Sequence, residues 1–532
     1  MITVGFDFGT HQTKICYETI EAGTAFYEVV RFERPNGEVS LTLPSYIRLN
    51  PEGRLRYGYD AISGDTSGKP ITYFKQAMFS WTSSPEARIE AEQWSALYLA
   101  FVIFKLDAKL QSTRYVVQMG MPTDADPLHY SFCKRQAIKV MVSAMQIARE
   151  IFRGDLDGYL STSYLQLRDL AAKCISAVPG DIREARKKYP IFVFPEAYVA
   201  LIPLINDRRL PNIGPNLFVD IGGGTVDISF FTAHEGSVPW LYYYYSMPCG
   251  LNMITGQDRS GSHNVKVGQA QITRQCVDVF RQKMICAVDA MMSILRQIYV
   301  QMGRVNVMPF SNLCGQILDG RPICYSGGGS MFSGLKLPLA NRHNGISYDF
   351  SQVATVSELI DHSNLYVDDR MFHVLATAFA LSHQSLINRT NGAEPDSIRL
   401  APVERLFMGI RNPQTSGQRV DVQFHYMTDI STSLSGVPPT EGSEQAQKSS
   451  DGQTSAGHAL LKCPHCGALV SERKMDRHIR RVHTSPVAKV AKTRRVTTRY
   501  TPDPEDIQRE LYGARASSQC NTGRFCLERL AC

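Results

Sequence analysis

The chain has 532 residues, of which 43% are hydrophobic and 20% are charged, and its net charge is +7. This is ordinary globular composition, and the length suggests about two to four domains. No run of about 18 apolar residues occurs and no signal-like segment opens the chain, so we expect no membrane span and a cytoplasmic location, or a nuclear one in a eukaryote.

The chain opens with a predicted buried strand at residues 2–8, which runs into a glycine turn. The turn combines an acid, a residue without Cβ, a hydroxyl and a cation that can reach a phosphate. These residues are Asp7, Gly9, Thr10 and Lys14. His11 lies in the same turn and is expected to be an exposed loop residue without a chemical role.

The stretch from Phe218 to Ile228 repeats this design with a strand, three consecutive glycines and a second strand. Such glycines let backbone N–H groups approach an anion without obstruction. The turn consists of Gly222, Gly223, Gly224 and Thr225. Asp220 and Asp227 flank it and could hold Mg²⁺ through water against a polyphosphate. The alternative is an ordinary glycine hairpin with a polar rim.

A third glycine element runs from Cys324 to Gly334 and is predicted to form a strand, a glycine turn and a helix. This order suits a nucleotide that rests on a helix N-terminus. The two earlier hairpins share one design, so they suggest two half-sites that hold a single nucleotide.

The order and spacing of the three glycine motifs resemble the actin-like ATPase superfamily, which includes actin, DnaK-type heat-shock chaperones, ParM-like bacterial actins and sugar kinases. The resemblance covers roughly residues 1–385. It implies a two-lobed α/β fold of duplicated ribonuclease-H-like domains, with ATP and Mg²⁺ bound between the lobes.

The resemblance also implies roles for single residues. Lys75 lies where heat-shock chaperones carry a catalytic lysine that neutralises γ-phosphate charge, although a solvated helix lysine is the alternative. Glu196 would orient the attacking water as a general base, and the alternative is an acid at a helix N-terminus. The ring of Phe332 would contact adenine, or it is a core residue.

Together with Asp7 and Asp220, Glu196 and Lys75 form the implied catalytic set, and both aspartates would hold Mg²⁺ through water. The implied nucleotide contacts are Gly9, Thr10, Lys14, Gly222, Gly223, Gly224, Thr225, Asp227, Gly327, Gly328, Gly329, Ser330, Met331 and Phe332.

Outside these motifs, the pattern predicts helices over residues 87–110, 137–152, 270–302 and 372–383. Residues 153–190 are polar, so they are expected to be irregular, with a strand near Cys174–Val178.

The tail is predicted to contain a short extension at 386–429, a flexible linker at 430–457, a zinc finger at 458–485 and a basic segment at 486–532. Cys463, Cys466, His478 and His483 have the spacing of a closed tetrahedral Zn²⁺ site on a small ββα unit. Basic residues within and after the finger could contact nucleic acid nonspecifically, and docking of a protein is the alternative.

We therefore interpret the chain as an ATP-hydrolysing nucleotide switch that acts on a protein partner, in the manner of heat-shock chaperone ATPase domains. A ParM-like homologue that self-associates into filaments is one alternative. A small-molecule kinase of the same fold is another, but no sugar-pocket aspartate can be identified. A non-catalytic scaffold, whose finger does the binding, is the last.

Overall fold

The computed structural model describes residues 2–63, 67–80, 83–123, 127–180, 182–206, 210, 215–232, 239–247, 250–254, 272–301, 318, 320–343, 346–384, 386, 460–462 and 469–471.

Most strands are short, and the longest, Gln12–Glu21, begins at the first glycine hairpin. The strands are β1 Ile2–Phe8, β2 Gln12–Glu21, β3 Thr24–Val29, β4 Phe32–Glu33, β5 Val39–Ser40, β6 Leu43–Pro44, β7 Ile47–Leu49, β8 Leu55–Tyr57, β9 Lys69–Ile71, β10 Tyr115–Met121, β11 Ile191–Pro195, β12 Asn216–Ile221, β13 Val226–Thr232, β14 Trp240–Met247, β15 Pro322–Ser326, β16 Leu339–His343, β17 Ile346–Phe350, β18 Gln352–Thr355, β19 Leu460–Lys462 and β20 Leu469–Ser471.

The α-helices are Gly58–Ser63, Phe74–Phe79, Pro85–Leu110, Pro127–Met145, Leu156–Ser161, Tyr164–Ala177, Ile182–Lys188, Glu196–Val199, Leu251–Ile254, Arg274–Gln301, Val356–Leu359 and Asp369–Ser382. A π-helical turn, Gln146–Ile151, extends the fourth of these. Single 3₁₀ turns are formed by Ile202–Asn206, Gly328–Met331, Ser333–Leu335 and Ser363–Leu365.

Two sheets repeat the same topology. The first has the strand order β3-β2-β1-β10-β11, with β6 added beside β2, and the second has the order β14-β13-β12-β15-β18. The central strands β1 and β12 each form an antiparallel hairpin with the strand that follows them, β2 and β13. On their other side, β10 and then β11 run parallel to β1, and β15 and then β18 run parallel to β12. The expected mixed α/β class is confirmed, and the chain holds two topologically equivalent halves.

The outer faces of the two sheets have separate cores. Alternate residues of β1, including Val4 and Phe6, pack in one cluster with the long helix Pro85–Leu110. Alternate residues of β12, including Val219, pack in another with the helix Arg274–Gln301. Both central strands are therefore apolar along their length because both faces are covered.

The inner faces meet in a third cluster, which joins Cys16 of the first sheet to Phe218 and Cys324 of the second. The helix Asp369–Ser382 contributes to this cluster and crosses β1 closely. A Cβ at Gly5 would overlap the backbone of that helix at Ala378 and Ser382, so only glycine permits the approach.

The prediction for residues 153–190 is wrong. Helices Leu156–Ser161, Tyr164–Ala177 and Ile182–Lys188 cover most of this stretch, and Cys174 lies in a helix rather than a strand. Leu167, Ala171 and Cys174 are buried at helical spacing. One buried apolar residue per turn is enough to form this helix, because tertiary packing stabilises a helix whose other faces are polar.

Strands β19 and β20 form an antiparallel hairpin on either side of residues 463–468 in the predicted finger. The four predicted zinc ligands lie outside the described residues. No helix in the described part of the chain is both long enough and apolar enough to cross a membrane.

Candidate functional site

The two glycine hairpins occupy equivalent positions in the two sheets. Asp7 is the penultimate residue of β1 and lies opposite Lys14 across the hairpin. Asp220 is the penultimate residue of β12 and lies opposite Asp227. The repeat therefore places an aspartate at the end of each central strand, and it replaces the lysine of the first hairpin by an acid in the second.

The two turns face each other at close range. A Cβ on Gly223 would lie 2.7 Å from Nδ1 of His11, and one on Gly224 would lie 3.2 Å from Cγ2 of Thr10. Gly250 packs behind the second turn, where its N–H donates to the Gly224 carbonyl at 3.0 Å. Side chains at these glycines would push the hairpins apart, which explains why the turn is built without them.

A cavity of about 140 Å³ lies between the hairpins. Most of the predicted site residues line it, and they come from both sheets. Those residues are Asp7, Gly9, Thr10, Lys14, Lys75, Glu196, Asp220, Gly222, Gly223, Gly224, Thr225, Asp227, Gly327 and Gly328. The structure thus brings together groups that are more than 300 residues apart in sequence.

Two ion pairs span this cavity wall. Lys14 Nζ lies 2.9 Å from Asp7 Oδ2, and Lys75 Nζ lies 2.6 Å from Glu196 Oε1. Burial is the largest single effect on Lys14 and would lower its pKa. The attraction and hydrogen bond of Asp7, together with the attraction of Asp220 and Glu196, outweigh burial and raise the pKa, so the lysine is charged. Lys75 is buried rather than a solvated helix lysine.

More acids than lysines line the cavity. Burial and this excess of negative charge raise the pKa of several of the acids. Burial raises the pKa of Asp220 to about 7, and repulsion by Asp227 adds to the rise. Burial also raises the pKa of Asp227. It raises the pKa of Glu196 although Lys75 opposes the change. A cluster of this kind favours a bound cation, because positive charge would relieve the repulsion.

Glu196 is positioned by the ends of two strands. It follows β11 directly, at the start of the helix Glu196–Val199. Its side chain passes Gly120 of the neighbouring strand β10, where a Cβ would lie 2.9 Å from Glu196 Cγ. The N–H of Ala197 donates to Thr123 Oγ1 at 2.9 Å and fixes the turn.

The predicted adenosine loop is only partly in the cavity. Gly327 and Gly328 line it, whereas Gly329, Ser330, Met331 and Phe332 are not among the lining residues. Phe332 packs partly buried against the core of the second sheet, the position named as its alternative. The helix predicted after these glycines is wrong, because the chain forms two 3₁₀ turns, Gly328–Met331 and Ser333–Leu335.

Several cavity residues were not predicted: His11, Gln12, Pro44, Leu251, His373, Val374 and Thr377. His11 is half-buried, not exposed, and its Nε2 lies 3.2 Å from the Tyr73 hydroxyl. His373 and Thr377 are four residues apart, so they lie on one face of the helix Asp369–Ser382. That spacing was the only sequence signal for them.

No group of three or more potential metal ligands is close enough to hold an ion directly among the residues that the structure describes. The expectation of Mg²⁺ at Asp7 and Asp220 was one of binding through water, which needs no such group.

No protein-family model matches the chain, and no curated protein matches it. Among solved structures, one that matches is a non-polymerising mutant of MamK bound to AMPPNP, at 13% sequence identity. The match covers 72% of this chain and 98% of that chain, with a TM-score of 0.33.

Proposed function

We propose that the chain is a Mg²⁺-dependent ATPase of the actin-like superfamily, which binds nucleotide between its two sheets. One observation carries the proposal: two topologically equivalent hairpins, each with an aspartate at the end of its central strand, face each other across one cavity. A chance glycine hairpin would not recur at the same place in a repeated fold.

The residues present fit a nucleotide polyphosphate with its cation. The N–H groups of Gly9 and Gly222 donate within their own hairpins. Those of Thr10 on one side, and of Gly223 and Gly224 on the other, would hold phosphate oxygens. Lys14 would add a fixed positive charge. Asp7 and Asp220 would hold Mg²⁺ through water, since the repelling acids of the cleft favour a cation. The ion would neutralise charge that develops on the phosphates.

Glu196 is the proposed general base for the attacking water. Its pKa is raised, which makes its carboxylate a better proton acceptor near neutral pH than an exposed glutamate. Lys75 holds the carboxylate at 2.6 Å and limits the orientations it can adopt. Lys75 is thus a positioning residue for Glu196, in addition to its charge near the phosphates.

Loss of the γ-phosphate would remove the group that both hairpins contact, so hydrolysis would change their separation. We infer that this change acts on a protein partner, and self-association into filaments is the alternative output. Pelleting in the presence of ATP separates the two, because only filaments sediment.

The test is ATP turnover by the full chain beside the variant Glu196→Gln. Glu184→Gln is the matched control, because Glu184 also pairs with a lysine at 2.6 Å but is exposed on the surface. We expect slow turnover that Glu196→Gln reduces by about 10²-fold and Glu184→Gln leaves unchanged. Equal turnover in all three proteins would refute the role of Glu196. Absence of nucleotide binding by the folded wild type would refute the proposed function.

A further inference from the structure

One part of the cavity wall is formed by a single helix. His373, Val374 and Thr377 of Asp369–Ser382 line it, beside Gly327 and Gly328. These residues carry no carboxylate or ammonium group. The uncharged wall is therefore unsuited to phosphates and suited to the nucleoside half of a nucleotide.

His373 is the unusual member of this wall. It is 6% exposed, and its Nδ1 has no hydrogen-bond partner among the described residues. The other ring nitrogen, Nε2, lies 3.3 Å from the Ser357 hydroxyl. A buried polar atom without a partner is costly, so such an atom at a ligand cavity indicates a partner that arrives with the ligand.

Thr377 lies one helical turn further along the same face and is 8% exposed. Its hydroxyl makes no hydrogen bond to another residue of the described chain. The helix thus presents an imidazole nitrogen and a hydroxyl at i and i+4, where side chains are neighbours on the helix surface. Two adjacent polar groups of this kind match two adjacent hydroxyls.

The charge state of His373 further limits which chemical group of a ligand can bind to it. Burial lowers the pKa of His373, and nearby Lys336 lowers it more, so the imidazole is neutral near pH 7. The Ser357 hydroxyl can donate to Nε2 or accept from it, which leaves Nδ1 free to accept or to donate. A hydroxyl satisfies either tautomer, whereas a phosphate oxygen satisfies only one.

We propose that His373 and Thr377 bind the 2′,3′-diol of the ribose and select ribonucleotides over dideoxynucleotides. The inference rests on the proposed nucleotide site and adds its sugar specificity. The main-chain carbonyl of His373 accepts from the Gly327 N–H at 3.0 Å, which ties this helix to the third glycine element. A Cβ at Gly327 would overlap Asp220, so the sugar subsite adjoins the phosphate end of the cavity.

The experiment compares the Kd of ATP with that of 2′,3′-dideoxy-ATP by titration calorimetry at pH 7.5. Wild type is expected to prefer ATP by about tenfold, which corresponds to the loss of one or two hydrogen bonds. His373→Ala and Thr377→Val should weaken ATP binding and leave dideoxy-ATP unchanged, so that the preference falls toward one. His373→Asn should restore part of it, since an amide can occupy the position of Nδ1.

His362→Ala is the control, because that histidine lies outside the cavity and pairs with Asp369. Its preference should equal that of wild type. Equal affinity of wild type for the two nucleotides would overturn the sugar subsite while leaving the proposed function intact. So would variants that weaken both nucleotides equally. Failure of wild type to bind either nucleotide would instead overturn the proposed function, and the subsite with it.

Discussion

The acids of the nucleotide-free cleft should make the protein less stable as pH rises, and Asp220→Asn should remove much of this effect. The usual pKa of an aspartate is 3.8, and that of Asp220 is about 7. Between these values the folded chain holds a proton that the unfolded chain has released. The free energy of unfolding therefore falls from about pH 4 to pH 7, and the penalty is fully present above pH 7.

The magnitude follows from the same two values. Keeping this carboxylate charged in the fully buried limit costs about 4 kcal/mol, at about 1.4 kcal/mol for each pH unit between them. The side chain of Asp220 is only partly buried, so screening by water reduces the cost. We expect Asp220→Asn to raise the free energy of unfolding by about 1–2 kcal/mol at pH 8 and to leave it unchanged at pH 4.

The assay is urea denaturation without nucleotide at pH 4 and pH 8, for wild type, Asp220→Asn and the exposed control Asp169→Asn. The control should keep the pH dependence of wild type, because its side chain is 66% exposed. A variant that is no more stable than wild type at pH 8, or one that keeps the full pH dependence, would refute the raised pKa of Asp220. The gain should be accompanied by weaker binding of Mg-ATP.

Three other changes test separate parts of the molecule. Gly5→Ala should lower the free energy of unfolding, measured by urea denaturation, by about 2–3 kcal/mol, because its Cβ would overlap Ala378. The control Gly180→Ala should not lower it, because a Cβ there meets open space. Equal stabilities of the two variants would contradict the close helix crossing. Lys75→Met should reduce ATP turnover about 10²-fold while the fold persists by circular dichroism, and undiminished turnover would remove Lys75 from the mechanism. Purified wild type should contain one zinc per chain by metal analysis, and Cys463→Ser should contain none. Metal-free wild type would refute the predicted zinc finger.

The hairpins could be predicted from sequence because each is a local pattern of strand, acid and glycine turn. Asp7 and Asp220 lie where that pattern placed them, and Lys75 and Glu196 followed from a resemblance rather than from spacing. Their 2.6 Å pairing joins residues 121 positions apart, which no local rule encodes.

The wrong and missed predictions concern residues whose surroundings are set by remote segments of the chain. His373 and Thr377 sit on a helix that was predicted correctly, but periodicity identifies a buried face without showing whether core or cavity lies beyond it. His11 was taken as exposed because the hairpin that covers it comes from more than 200 residues later. Phe332 was placed by analogy, and the 3₁₀ turns around it direct the ring into the core.

The helix Asp369–Ser382 has a consequence for how the chain matures. It covers the inner face of β1 and β2, yet it follows them by about 350 residues in the sequence. Pairing of such remote segments slows folding, since a long loop must close before the contact stabilises anything. A nascent chain that ends before Asp369 would expose the Cys16 face of its first sheet and be prone to aggregate. The amino-terminal half is therefore not an independent folding unit, and its completion waits for a segment of the other half.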